Sequence, residues 1–266
     1  MNQVGINRYK AYKDMIVVRD KLELLRLINR RIDQRGPDCD LNDIDVSKID
    51  DMSGLFLHSK FTGDISEWNV SRVRNMRDMF ARSRFNGDIS KWDVSNVEDM
   101  ESMFSGSYFD SDISKWDVSK VKDMHFMFAN SEFDGDISKW DVSNVKVMSY
   151  MFWNSKFNGD LSEWDTSRVE LMVGMFEESR FNRDISKWNV SSVEDMSYMF
   201  YKSQFNGDIS NWNVSNVEYA ESMFFQSMFT GDISKWDLSN VEDAESISED
   251  SPSLGYMWSS EMRGIE

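Results

Sequence analysis

Tryptophan returns every 24 residues along this chain. Trp68, Trp92, Trp116, Trp140, Trp164, Trp188, Trp212 and Trp236 keep that step without one insertion, and so do the phenylalanines from Phe61 to Phe229 and the aspartates from Asp64 to Asp232. A spacing held so strictly requires each unit to rest on its neighbour through fixed contacts, which is the pattern of a solenoid. The frame runs past the clear copies. From Asp40 it continues with Ile44 in the tryptophan place, and at the far end it keeps Val241, Ala244 and Ile247 while losing the aromatics. Terminal units of solenoids are atypical because one of their faces meets something other than a repeat.

The unit "FNGDISKWDVSNVEDM" (Phe85–Met100) divides in two. Val97, Met100, Met103 and Phe104 have the spacing of a short amphipathic helix, and Ser95 with Glu98 has the form of a capping box at its start. The capping pair returns at Ser167/Glu170, Ser191/Glu194, Ser215/Glu218 and Ser239/Glu242. In the other half, Asn86-Gly87 signals a turn, and Trp92 and Val94 alternate with polar residues as a half-buried strand does. The expectation is an α/β solenoid of 24-residue strand–turn–helix units, with parallel pairing between successive strands and Phe, Ile, Trp, Val and Met filling the interior.

Residues 1–38 fall outside the repeat. "MIVV" reads as a strand, and "RDKLELLRLINRRIDQRG" as an amphipathic helix stopped by Gly36-Pro37. Three parts follow: a basic N-terminal cap over 1–38, a solenoid over 39–247 and a C-terminal tail or cap over 248–266. Charge divides the same way. Residues 1–38 hold nine of the 30 Lys/Arg and five of the 47 Asp/Glu, leaving 21 against 42 in the remainder. An acidic body of this kind repels nucleic acid directly and attracts basic proteins. One cysteine, Cys39, excludes an internal disulfide, and two histidines, His58 and His125, supply little for metal or acid–base chemistry. The opening residues show no secretory pattern, so a cytoplasmic location is expected.

The run "MFARSRFNGDISKWDVSNVEDM" (Met79–Met100) and its copies resemble the BspA-like, leucine-rich-repeat-type surface-protein repeats known from Mycoplasma and many other bacteria, over about residues 14–247. The resemblance implies a solenoid that binds proteins or mediates adhesion without catalysis. It brings no catalytic residues.

The repeated polar residues read as structural. Asp88 and its equivalents suit turn amides, and Gly gives way to Ser111 and Arg183 without loss of register, which argues against a strict calcium loop. Asp93 exchanges with asparagine in other units, so its charge is dispensable and a general base is not expected there. Serines at 83, 107 and equivalent places have no histidine or lysine at a recurring offset to activate them. No catalytic residue, cofactor or metal site is expected. Function must sit where the repeat varies. On the outward side of the expected helix, the later units place Phe126, Tyr150, Trp153, Tyr198, Tyr201 and Phe225, flanked by Val147, Leu171, Val173 and Tyr219. Large apolar residues that stacking does not need mark a protein interface. The expected function is non-enzymatic protein binding through this stripe. A sharper version is an acidic intracellular inhibitor of a basic nucleic-acid-handling protein, such as a phage-encoded anti-defence or anti-CRISPR-type protein. The alternative is a bacterial cell-surface adhesion repeat.

Overall fold

The computed structural model describes residues 15–242 and Ile247. The chain opens with β1 (Ile16–Val17), continues through α1 (Lys21–Arg35), and returns in β2 (Ile44–Asp45), which pairs parallel to β1 with Ile16 opposite Ile44. Asp20 caps α1: its Oδ1 accepts from the Glu23 amide at 2.8 Å, and Glu23 Oε2 accepts in return from the Arg19 amide at 2.9 Å. Gly36, at φ +95°, ends the helix and donates to the Ile32 carbonyl. Leu24, Leu27 and Ile28 are buried in the same core as Leu41, Ile44 and the first phenylalanines, and Arg31 pairs with Asp43 at 2.7 Å. The strand and helix expected in the N-terminal segment are both present. The C-terminal tail and Ala244 lie outside the described residues.

The repeating body consists of stacked turns. The helix expected over Val97–Phe104 is absent: among the described residues no helix follows Arg35. Each coil instead chains tight turns closed by i→i+3 bonds, such as Trp92 N to Ile89 O, Val97 N to Val94 O, Met103 N to Met100 O and Ser107 N to Phe104 O. A turn places an inward residue every third position, and over two steps that spacing is indistinguishable from a helix of 3.6 residues per turn. The expected capping boxes dissolve with the helix. Ser95 donates its amide and hydroxyl to Asp93 Oδ1, and Glu98 points out to Arg74 and Lys122. The strand expected at Trp92–Val94 is also missing. Apart from a first bridge between Asp40 and Asp64, parallel contact between coils falls on the opposite half of the unit, as isolated bridges running Asp51–Asn75–Asp99–Asp123–Val147–Leu171–Asp195–Tyr219.

On that half, which forms one wall of the solenoid, the amides follow a strict rule. Met100, Ser102, Phe104 and Gly106 donate to Asp123, His125, Met127 and Ala129 of the next coil at 2.7–3.0 Å. Met103, Ser105 and Ser107 close turns within the coil, and the Glu101 amide donates to Asp99 Oδ1. Every amide from 100 to 107 therefore has a partner, as a buried backbone requires.

Side-chain ladders complete the stack. Phe80, Phe104, Phe128 and Phe152 stack with ring centres 5.7–5.9 Å apart, and each meets a second phenylalanine of its own unit, as Phe104 meets Phe109 at 4.2 Å. The indole N–H of each recurring tryptophan from Trp68 to Trp236 reaches back one coil. Trp116 Nε1 donates to Ile89 O, which already accepts from the Trp92 amide, so both carbonyl lone pairs are used. The recurring aspartates are turn residues, with Asp88 Oδ1 taking the Ser90 amide at 2.9 Å. That bond and the Ser90 hydroxyl hold the Asp88 carboxyl below its ordinary pKa. Two core substitutions separate packing from hydrogen bonding. Phe128→Ala should cost about 3–5 kcal/mol by opening the ring stack, and Trp140→Phe about 1–2 kcal/mol by removing the indole bond to Ile113, both read from urea unfolding.

Candidate functional site

Outward side chains of the wall stand in rows, one residue per coil. One row, through Ser102, reads Gly54, Asp78, Ser102, Phe126, Tyr150, Gly174, Tyr198, Ser222. A second, through Ser105, reads Leu57, Ala81, Ser105, Ala129, Trp153, Glu177, Tyr201, Phe225. The ten residues singled out by the sequence all fall on this wall. Nine are half-buried, and Tyr219 is 44% exposed. The wrong local structure left this grouping intact, because turn and helix share the same outward positions over so short a run.

Inter-coil pairing brings them together. Val147 bridges Leu171, and Val173 accepts the Tyr150 amide. Phe126 stacks on Tyr150 with ring centres 4.9 Å apart, and Trp153 meets Phe126 edge-on at 6.3 Å. Further along, Tyr198 sets its edge to Tyr201 at 5.8 Å, and Tyr201 stacks on Phe225 at 5.1 Å with the Lys202 ammonium 4.9 Å above its ring. These are two aromatic clusters, parted at the coil of Gly174 and Glu177. The Tyr150 ring leans across Gly174 so closely that a Cβ there would collide with it, and Glu177 Oε2 lies within 3.0 Å of the same place.

The backbone under these rings is unfavourable for them. The row of Ser102 is the third position of a turn and takes positive φ in every unit: Phe126 at 55°, Tyr150 at 56° and Tyr198 at 60°, with Gly54 and Gly174 in the same place. Left-handed backbone costs a residue with a side chain roughly 1–2 kcal/mol, and bulky residues rarely adopt it. Glycine, serine or aspartate fill this place in other coils.

Residues that the sequence reading missed complete the wall. Ala81, Ser105 and Gly106 floor a trough of about 520 Å³, closed at one end by Leu57 and His58 and at the other by Phe126 and Trp153. Reading one row down the coils would have shown it, as a run of small residues ahead of the large ones. His125 packs on Phe126 at 4.2 Å, and burial lowers its pKa. Burial raises the Glu177 carboxyl and the Tyr150 phenol, with Glu178 adding to the first and Glu177 to the second. Tyr198 is pushed up to about 12, chiefly by the Glu221 carboxylate beside it.

Polar groups of the coil interior are occupied. Ser83, Ser107 and their equivalents are buried, and each hydroxyl oxygen accepts the amide of the phenylalanine two residues on. Among the described residues no three His, Cys, Asp or Glu side chains converge on a point that could hold a metal ion, and no helix is long and apolar enough to cross a membrane.

With this geometry in view, comparison with known proteins places the chain. Residues 32–132, 85–180, 106–204 and 154–256 each match the family described as Mycoplasma protein of unknown function, DUF285. The chain belongs to that repeat family. No curated protein and no solved structure matches it.

The raised phenol gives a pH test. The Tyr198 contribution is fully present below pH 10, where the phenol is neutral in both folded and unfolded chains, and is lost as pH rises through about 12. An absorbance titration should show the last-ionising tyrosine removed by Tyr198→Phe, and the same variant should flatten the fall in stability across that window.

Proposed function

We propose that the protein is a non-enzymatic, protein-binding scaffold of the BspA-like kind, whose partner rests on the wall of the later coils. One observation carries this reading. Phe126, Tyr150 and Tyr198 occupy positive-φ positions that glycine fills elsewhere in the row. Strained residues persist where a function holds them, and other coils stack with glycine, serine or aspartate at this place. Tyrosine and tryptophan on a rigid surface supply contact area at small entropic cost.

Charge sharpens the partner. The chain carries −17 overall. In the earlier coils the wall glutamates are matched: Glu98 by Arg74 and Lys122, and Glu101 by Arg77. Glu177, Glu194, Glu218 and Glu221, beside the later aromatics, form no ion pair among the described residues, whereas Glu170 and Glu178 do. An acidic, aromatic surface suits a basic protein, and an intracellular inhibitor occupying the basic groove of a nucleic-acid-handling enzyme, as an anti-defence protein would, is the sharper form of the reading. The resemblance to BspA-like repeats favours the second reading, adhesion at a cell surface.

The test exploits the strain. Tyr150→Gly/Tyr198→Gly should leave the melting temperature nearly unchanged, relief of the left-handed strain offsetting the lost Tyr198 contribution and ring contacts, while abolishing capture of partners from lysate, and capture by the native chain should weaken from low to high salt. Capture unaffected by the double variant would remove the wall from the binding surface. Capture indifferent to salt would remove the basic partner and leave adhesion as the reading.

A further inference from the structure

The wall has a trough at one end and an aromatic ridge at the other, and the two match when the molecule is set against itself. A two-fold axis lying in the plane of the wall, and running across the coils, reverses coil order but keeps every row opposite itself. Placed at the coil of Tyr150 and Trp153, that axis sets large residues against small ones on either side, apart from Asp78 against Ser222, while Tyr150 and Trp153 each meet their own counterpart. Phe126 faces Gly174 and the Tyr150 ring that leans over it, and Tyr198 faces Ser102. In the second row Tyr201 faces Ser105 and Phe225 faces Ala81, both of which line the trough, while Glu177 comes over the buried Ala129. The ridge of one copy thereby enters the trough of the other, and Trp153 meets its own counterpart at the axis, where offset rings stack.

Charge follows the same operation. In the outer rows Arg74 comes opposite Glu218, Arg77 opposite Glu221, Lys122 opposite Glu170 and Arg180 opposite Glu132. Glu194 meets Glu98, which its own Arg74 and Lys122 already hold, and Asp99 opposite Asp195 is the unfavourable contact. Neighbouring registers fit less well. With the axis between the coils of Phe126 and Tyr150, Phe126 lands on Tyr150 and Lys122 on Lys146; with the axis between the coils of Tyr150 and Gly174, Phe126 lands on Tyr198 and Glu101 on Glu221.

We infer that two copies of the chain pair wall to wall as an antiparallel dimer centred on the Tyr150–Trp153 coil, each aromatic ridge seated in the other's trough. The inference rests on the reading of the wall as a binding surface and names a second copy as its occupant. The dimer leaves the row of exposed aspartates from Asp64 to Asp232 outside the contact, on the half of each coil away from the wall.

Sedimentation and light scattering across a dilution series test it with the full chain. The native protein should weigh twice the 31.2 kDa chain. Ser105→Trp blocks the trough in a row that already accepts Trp153, so the coil should fold with an unchanged melting temperature while the dimer dissociates at least tenfold more readily. Arg77→Glu should weaken the dimer likewise, and adding Glu221→Arg in the same chain should restore it, since each copy then presents the exchanged pair. A monomer at every concentration overturns the dimer. If Tyr150→Gly/Tyr198→Gly still abolishes partner capture by that monomer, the wall survives as a binding surface for another protein. A dimer that survives both Ser105→Trp and Arg77→Glu uses a different face, and overturns this pairing.

Discussion

Each coil of this protein is held by amides that alternate between the next coil and the coil's own turns. Met100, Ser102, Phe104 and Gly106 reach forward, and Met103, Ser105 and Ser107 close back. The alternation works only if the residue one coil on sits in the same place, and so the 24-residue period admits no insertion across the clear units. One added residue would put a forward-reaching amide over a turn and orphan it, at about 1–3 kcal/mol for each buried group left unmatched. The ring stacks and indole bonds ride on that register: Trp116 finds Ile89 only because the coils are in step.

Because backbone groups and inward side chains carry the stacking, the outward rows of the wall are chemically free. Serine, alanine, glutamate, tyrosine and tryptophan share one row without altering the coil beneath. The wall is thus a regular lattice on which size and charge can be set one coil at a time. In this chain the small residues gather early and the large ones late. The aromatics at positive φ show that the lattice carries some of them against its own preference. A rigid, strained, half-buried aromatic surface loses little entropy when a partner covers it, which is the energetic basis for reading it as an interface.

Much of this was legible in the residues. The period, the inward Phe, Ile, Trp, Val and Met positions, α1 with its stop at Gly36, and the outward aromatic residues follow from spacing and side-chain type alone. The helix did not, because Val97, Met100 and Met103 step by three, and turns and helices share that step over so few residues. Ser95 and Glu98 resembled a capping box for a related reason: Asp93 claims the serine, a local bond that leaves the same sequence trace as a cap. The trough was invisible for a different reason. Ala81, Ser105 and Gly106 are unremarkable singly and acquire meaning only when consecutive coils lie side by side. Gly174 likewise looks like a lapse in a row until the Tyr150 ring is seen leaning across it.

The central claim is that stacking and binding are separable on this scaffold. The most direct measurement is the combined replacement of Tyr150, Trp153, Tyr198 and Tyr201 by residues their own rows carry in other coils: serine at Tyr150, Trp153 and Tyr198, and alanine at Tyr201. Thermal unfolding and association would be followed on the same sample. The account predicts an unchanged or higher melting temperature with every association lost. A collapse of the melting temperature would contradict it, since the rings would then belong to the core that holds the coils together.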